Sequence, residues 1–172
     1  MRLFTAIEIP PGIRTRLSAL VEQLRPLAKL QWSPPEKLHI TITFIGEWPE
    51  ARLDELHVAL AQVKSGPIPI SICGISWMSR HVLSAGVEAT PALVALASST
   101  GNALGAIGVP LEKRDYHPHI TLARRKSRGP LPRLEPPLSA LRSADLGTFQ
   151  SSKFVLYRSD QGKYTQLKEY TF

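Results

Sequence analysis

The chain has 172 residues, with 21 Lys and Arg against 14 Asp and Glu, a formal net charge of +7. That length fits one domain, or two small lobes on a shared core, and the cationic excess favours an anionic partner such as nucleic acid or a nucleotide. The single cysteine, Cys73, excludes an intramolecular disulfide and reads as a small apolar strand residue in a reducing compartment.

Arg2 to Ile9 has the apolar and β-branched density of a strand, which Pro10-Pro11-Gly12 ends. Glu8 and Pro10 interrupt this stretch long before the length of a signal or membrane span, so a soluble, cytoplasmic protein is expected. Ile13, Leu17, Leu20, Val21, Leu24 and Leu27 recur at helical steps and predict an amphipathic helix. Leu30 to Pro35 turns the chain into a strand, Leu38 to Phe44. Glu50 to Lys64 reads as a second helix, with His57 off its apolar stripe and solvated. Ile68 to Met78 and His81 to Glu88 read as a hairpin around Ser79-Arg80. Thr90-Pro91 signals the start of a third helix running to about Ile107, weakened by Gly101 and Gly105 and stopped at Gly108. Tyr116 to Ala123 reads as a strand. Arg124 to Pro137, rich in proline and basic residues, reads as an exposed loop, either merely solvated or an electrostatic guide for a phosphodiester chain. Phe149 to Arg158 and Lys163 to Phe172 form a closing hairpin around Ser159-Asp160-Gln161-Gly162.

One tripeptide occurs twice, His39-Ile40-Thr41 and His119-Ile120-Thr121, at an offset of 80. Aligning 3–44 with 83–124 at that offset gives eight identities in 42 pairs, where unrelated segments share about two or three. The reading is one bilobal domain over 1–172 built from a duplicated strand–helix–strand unit, with a pseudo-two-fold axis that sets the histidines facing each other. Strand alternation puts His39, Thr41 and Thr43 on one face and Leu38, Ile40, Ile42 and Phe44 on the other. In the second copy it puts His119, Thr121 and Ala123 together. The fold expected is α+β, with mainly antiparallel sheets lining a central cleft and helices outside.

A pair of histidines can supply general base and general acid together near neutral pH, as in-line cleavage of a phosphodiester requires. The threonine hydroxyls on the same faces suit non-bridging phosphate oxygens. A metal site would use the same imidazoles, with His117 added, but the sequence offers no cysteine pair or nearby carboxylate cluster to complete it. Neither a nucleophile elbow nor a Gly-rich phosphate loop is present.

The opening Arg2-Leu3-Phe4-Thr5-Ala6, the paired His-x-Thr-x motifs with their separation, and Tyr116-His117-Pro118-His119 resemble the 2H phosphoesterase superfamily, and within it the RNA 2',3'-cyclic phosphodiesterase (2'-5' RNA ligase) family. The resemblance spans nearly the whole chain. It implies a bilobal, metal-independent and cofactor-free enzyme that opens 2',3'-cyclic phosphates to 2'-phosphomonoesters. Some such proteins also join tRNA halves reversibly through a 2'-5' bond. It further implies that His39 donates the proton to the leaving 3' oxygen, that His119 activates water, that Thr41 and Thr121 hold the phosphate, and that Arg124 contacts it. Parity sets Arg124 out of step with His119 and Thr121 unless the strand ends or bulges there.

For base stacking the resemblance points to Phe4, while the hairpin strand reads Val82-Leu83-Ser84-Ala85 where similar proteins often carry an aromatic. Tyr116 and Trp77 are the other platforms. The expected partner is RNA with cyclic phosphate ends, tRNA halves among them, and the expected state is a monomer with no membrane association. Two other readings stay open: a non-catalytic RNA-end-binding protein, and the same chemistry on a small cyclic nucleotide or a 2'-5' oligoadenylate.

Overall fold

The computed structural model describes residues 1–110, 114–126, 134 and 136–172. The elements run β1 (Arg2–Glu8), α1 (Pro11–Leu24), β2 (Gln31–Trp32), β3 (His39–Glu47), α2 (Leu53–Ala61), β4 (Ile68–Ser79), β5 (Val82–Val87), α3 (Pro91–Ala106), β6 (His119–Arg124), α4 (Pro137–Leu141), β7 (Asp145–Ser151), β8 (Lys153–Asp160) and β9 (Lys163–Thr171). Among the described residues the strands form one sheet in the order β7-β4-β5-β6-β3-β1-β8-β9, with β2 beside β6. The pairings are antiparallel, as expected of this α+β chain. The two halves meet in the middle of the sheet, β6 against β3.

Local sequence accounts for most of these elements. α3 starts where Thr90 accepts a hydrogen bond from the Leu93 amide at 3.3 Å, with Pro91 in the first turn, and runs unbroken through Gly101 and Gly105. Its stripe Leu93, Leu96, Ala97 and Leu104 is buried, and that packing outweighs the two glycines. The β8–β9 hairpin turns at Gln161 and Gly162, both with positive φ, the conformation a two-residue hairpin loop requires.

The C-terminal strands depart from expectation. Phe149 to Arg158 is not one strand: Phe149 pairs with Ile70 on β4, whereas Tyr157 pairs with Phe4 on β1 and Gln166 on β9. The chain crosses the sheet at Ser152 between β7 and β8, so one apolar run serves opposite edges. The part of β7 over 145–148, the short β2 and the helix α4 have no counterpart among the elements expected from sequence. His57 is not simply solvated either; its Nδ1 lies 2.7 Å from the Tyr170 hydroxyl on β9. Most of the basic stretch after Lys126, which reads as a loop, lies outside the described residues.

Register also refines the repeat. Ile40 pairs with Ile7 and Ile120 with Ala85; Thr41 pairs with Ala6 and Thr121 with Ser84. The first strands of the two copies therefore correspond at an offset of 78, while the histidine strands correspond at 80. Leu3/Leu83 and Glu8/Glu88 match by letter but not by place, and the counterpart of Phe4 is Val82 rather than Ser84.

Candidate active site

β3 and β6 pair at Ile40↔Ile120, and farther along β6 its edge is taken by β2 through Gln31↔Arg124 and Trp32↔Ala123. The two histidine strands therefore join and then diverge. Ile40 and Ile120 are fully buried, so His39, Thr41, His119 and Thr121 all project from the opposite face of the sheet. The antiparallel register sets His39 beside Thr121 and Thr41 beside His119. The two histidines then lie on a diagonal that in a regular pair spans about 7–8 Å, room for a phosphate between the ring tips.

Both rings are held the same way. His39 Nδ1 lies 2.6 Å from the carbonyl of Lys37, and His119 Nδ1 lies 2.9 Å from that of His117. A carbonyl can only accept, so Nδ1 carries the hydrogen in each ring and Nε2 is the nitrogen left to exchange a proton. His39 Nε2 stands 3.1 Å from Thr41 Oγ1. Burial lowers the His39 pKa; the Lys37 carbonyl opposes this, and the positive charges of His119 and Arg124 add to the lowering. His39 is thus reluctant to hold a proton until an anion arrives.

Both histidine strands bulge just after the motif. Thr41 pairs with Ala6 but Thr43 with the adjacent Thr5, and Thr121 pairs with Ser84 but Ala123 with the adjacent Leu83. The extra residue reverses the alternation. Thr43 is consequently drawn to Thr5, whose hydroxyl accepts from its amide at 3.2 Å, and Ala123 is buried. Phe44 and Arg124, which simple parity assigns to the wrong side, swing onto the site face; Phe44 is 62% exposed. Arg124, exposed at the end of β6, is near enough to influence His39.

Three other sequence candidates fall differently. Phe4 is only 4% exposed and offers no open face to a base; its ring backs the His39 imidazole at 5.0 Å between centroids. Tyr116 donates its hydroxyl to the Thr41 carbonyl at 2.8 Å, tying the approach to β6 onto β3, and burial pushes its pKa up. It is a strap rather than a platform. Trp77 is partly buried against the core on β4, away from the histidine strands. His117, the third candidate metal ligand, orients His119 through its carbonyl, and among the described residues no cluster of three or more His, Cys, Asp or Glu could hold a metal.

What sequence reasoning missed is the aromatic wall beside His39. Tyr164 on β9 meets His39 edge-on at 5.4 Å and Phe4 at 5.0 Å, Tyr157 on β8 stacks on Phe4 at 5.4 Å, and Phe44 completes the group at 6.3 Å from Phe4. Tyr157 donates to Glu8, which also lies 3.6 Å from Lys153. The tyrosines come from the far end of the chain, and only the β1–β8 pairing brings them here. Phe44 had a signal: the offset of 80 pairs it with Arg124.

A family model described as LigT-like phosphoesterase matches residues 7–89 and again 85–164, one histidine tripeptide in each stretch. The chain belongs to this family. Among curated relatives, the RNA 2',3'-cyclic phosphodiesterase of Thermus thermophilus is 33% identical over 153 residues, covering 82% of this chain and 76% of the relative. That of Archaeoglobus fulgidus is 31% identical over 134 residues, 76% of each. The LigT-like fold is seen in a crystal structure of a Thermus thermophilus protein, at TM-score 0.79 and 26% identity over 99% of this chain and 97% of that one. The apo structure of E. coli LigT shares the fold at TM-score 0.78 and 24% identity, covering 99% and 96%.

Proposed function

We propose that this protein hydrolyses RNA 2',3'-cyclic phosphodiester ends to 2'-phosphomonoesters by acid–base catalysis between His39 and His119. The observation that carries this is the junction at Ile40↔Ile120, which sets two imidazoles and two hydroxyls on one face, with each Nδ1 tied to a backbone carbonyl and the His39 Nε2 contact to Thr41 Oγ1 one that an incoming phosphate can replace. Water gives a proton to His119 Nε2 as its oxygen bonds to phosphorus. The bond from phosphorus to the 3' oxygen breaks, and that oxygen takes a proton from His39. Solvent then returns both rings to their starting states. Thr41, Thr121 and Arg124 hold the non-bridging oxygens, whose charge persists through the transition state.

An RNA 5' hydroxyl in place of water makes the same step a 2'-5' ligation, since the 3' oxygen still leaves and the phosphorus stays on the 2' side. A pair of tRNA halves, one ending in a cyclic phosphate and the other in a 5' hydroxyl, is a substrate of this kind, and a monomer acting in the cytoplasm is the matching setting. No helix among the described residues is long and apolar enough to cross a membrane.

The test is incubation of the pure protein, with chelator present, with a short RNA ending in a 2',3'-cyclic phosphate, followed by identification of the terminus. A 2'-phosphate with a free 3' hydroxyl is expected. A 3'-phosphate, or no product, refutes the proposal.

A further inference from the structure

Beyond the catalytic face lies a groove of about 670 Å³ that the reaction itself does not use, lined by Arg25, Lys29, Gln31, Trp32 and Lys126 with apolar residues between. Among the described residues it carries three cationic side chains and one indole, and no acidic residue lines it. Lys29 and Lys126 are exposed; Arg25 shares its charge with Glu22, 2.8 Å away on the same helix end. Trp32 is pinned by its ring N–H, which donates to the Ala28 carbonyl at 3.3 Å. Trp32 pairs with buried Ala123 and is itself partly buried against the core, so it only borders the groove; the lysines and arginine around it are the composition that tracks the phosphates of a single strand.

The groove is joined to the site by backbone. Gln31 on its floor pairs with Arg124 on β6, and paired residues share a face, so Gln31 continues the row His119, Thr121, Arg124. From His119 to Arg124 is five strand steps, about 16 Å. The long Arg124 side chain spans part of that distance back toward the histidines, so a nucleoside cyclic phosphate seated between them meets Arg124 but does not extend past its backbone to Lys29 and Lys126, whereas an RNA strand advancing about 3.4 Å or more per phosphate gets there within roughly three to five nucleotides.

Resting on the function proposed above, we infer that this groove is a binding site for the RNA strand upstream of the cyclic phosphate, and that it makes the protein select polymer ends over mononucleotides. Affinity rises with chain length until the strand covers Lys29 and Lys126, then levels off.

The experiment measures binding of labelled RNAs of two to eight nucleotides ending in a 2'-phosphate, to the native protein and to the Lys29→Glu/Lys126→Glu variant, across a salt series. Native affinity should climb by about tenfold or more between the shortest and longest RNAs. The variant should lose that gain, with a salt slope shallower by about 1 to 1.5, since each single-strand phosphate contact contributes about 0.7. Hydrolysis of a nucleoside 2',3'-cyclic phosphate should be unchanged in the variant. Flat length dependence in the native protein, or an undiminished one in the variant, overturns the inference. If length-dependent binding is present and variant-sensitive while no cyclic end is opened, the groove stands and the catalytic reading falls.

Discussion

At the scale of single residues, the site turns on two imidazoles fixed alike at Nδ1. Because burial and neighbouring cations lower the His39 pKa in the free protein, one limb of the kcat/KM bell should fall below the reference value of about 6.5. A bound phosphate anion favours the charged ring, so the same limb should lie at higher pH in the kcat profile; coincident limbs in the two profiles would contradict this. Phe44, exposed and 6.3 Å from the Phe4 ring that backs His39, is the accessible stacking surface. Phe44→Ala should weaken substrate binding by about 1–3 kcal/mol, read in KM with kcat little changed. The histidines and threonines were legible because a repeated tripeptide in strand spacing needs no tertiary information. Parity alone puts Phe44 and Arg124 on the wrong side, because a one-residue bulge reverses it and leaves no mark in the letters; the resemblance assigns Arg124 to the site, on condition of such a bulge. Tyr157 and Tyr164 were beyond reach, since their place beside His39 depends on which strands pair.

At the scale of elements, α1, α3, β1 and β3 followed from apolar period and from proline and threonine signals, although β3 runs on to Glu47, past the Phe44 at which the sequence predicts its end. The split between β7 and β8 did not, because Ser151-Ser152-Lys153 carries no glycine or proline to mark it. β4 shows what such local devices do. Its residue Gly74 has φ +67, and a Cβ there would collide with the carbonyl of Arg142, where the chain leaves α4. The bulge lets Ile72 and Ile75 both face the core across one glycine. Gly74→Ala should destabilise the protein by on the order of 3 kcal/mol, read from the denaturation midpoint, combining left-handed strain with a backbone clash. A cost below about 1 kcal/mol would show that β4 and α4 can separate freely.

At the scale of the whole molecule, the halves correspond in strand order but do not stand apart. α1 of the first copy lies against β7, at the outer edge of the second half, where a Cβ on Gly147 would come within 3.1 Å of Ile13. β8 and β9 complete the first half from the chain's far end. Such interlocking predicts one cooperative unfolding transition, with fluorescence from Trp48 and Trp77, one in each half, coinciding with loss of far-UV circular dichroism. Separate midpoints would reveal independent lobes. In the proposed function the same joining delivers both histidines to one phosphorus, and the most direct test of that is the activity cycle of His39→Ala, His119→Ala and the double variant on a cyclic-phosphate RNA end. Each single replacement should cost about a hundredfold or more in kcat, and the double should be scarcely worse than the poorer single, because the two groups act in one step. Near-native rates in either single variant, or losses that multiply fully in the double, would contradict the account.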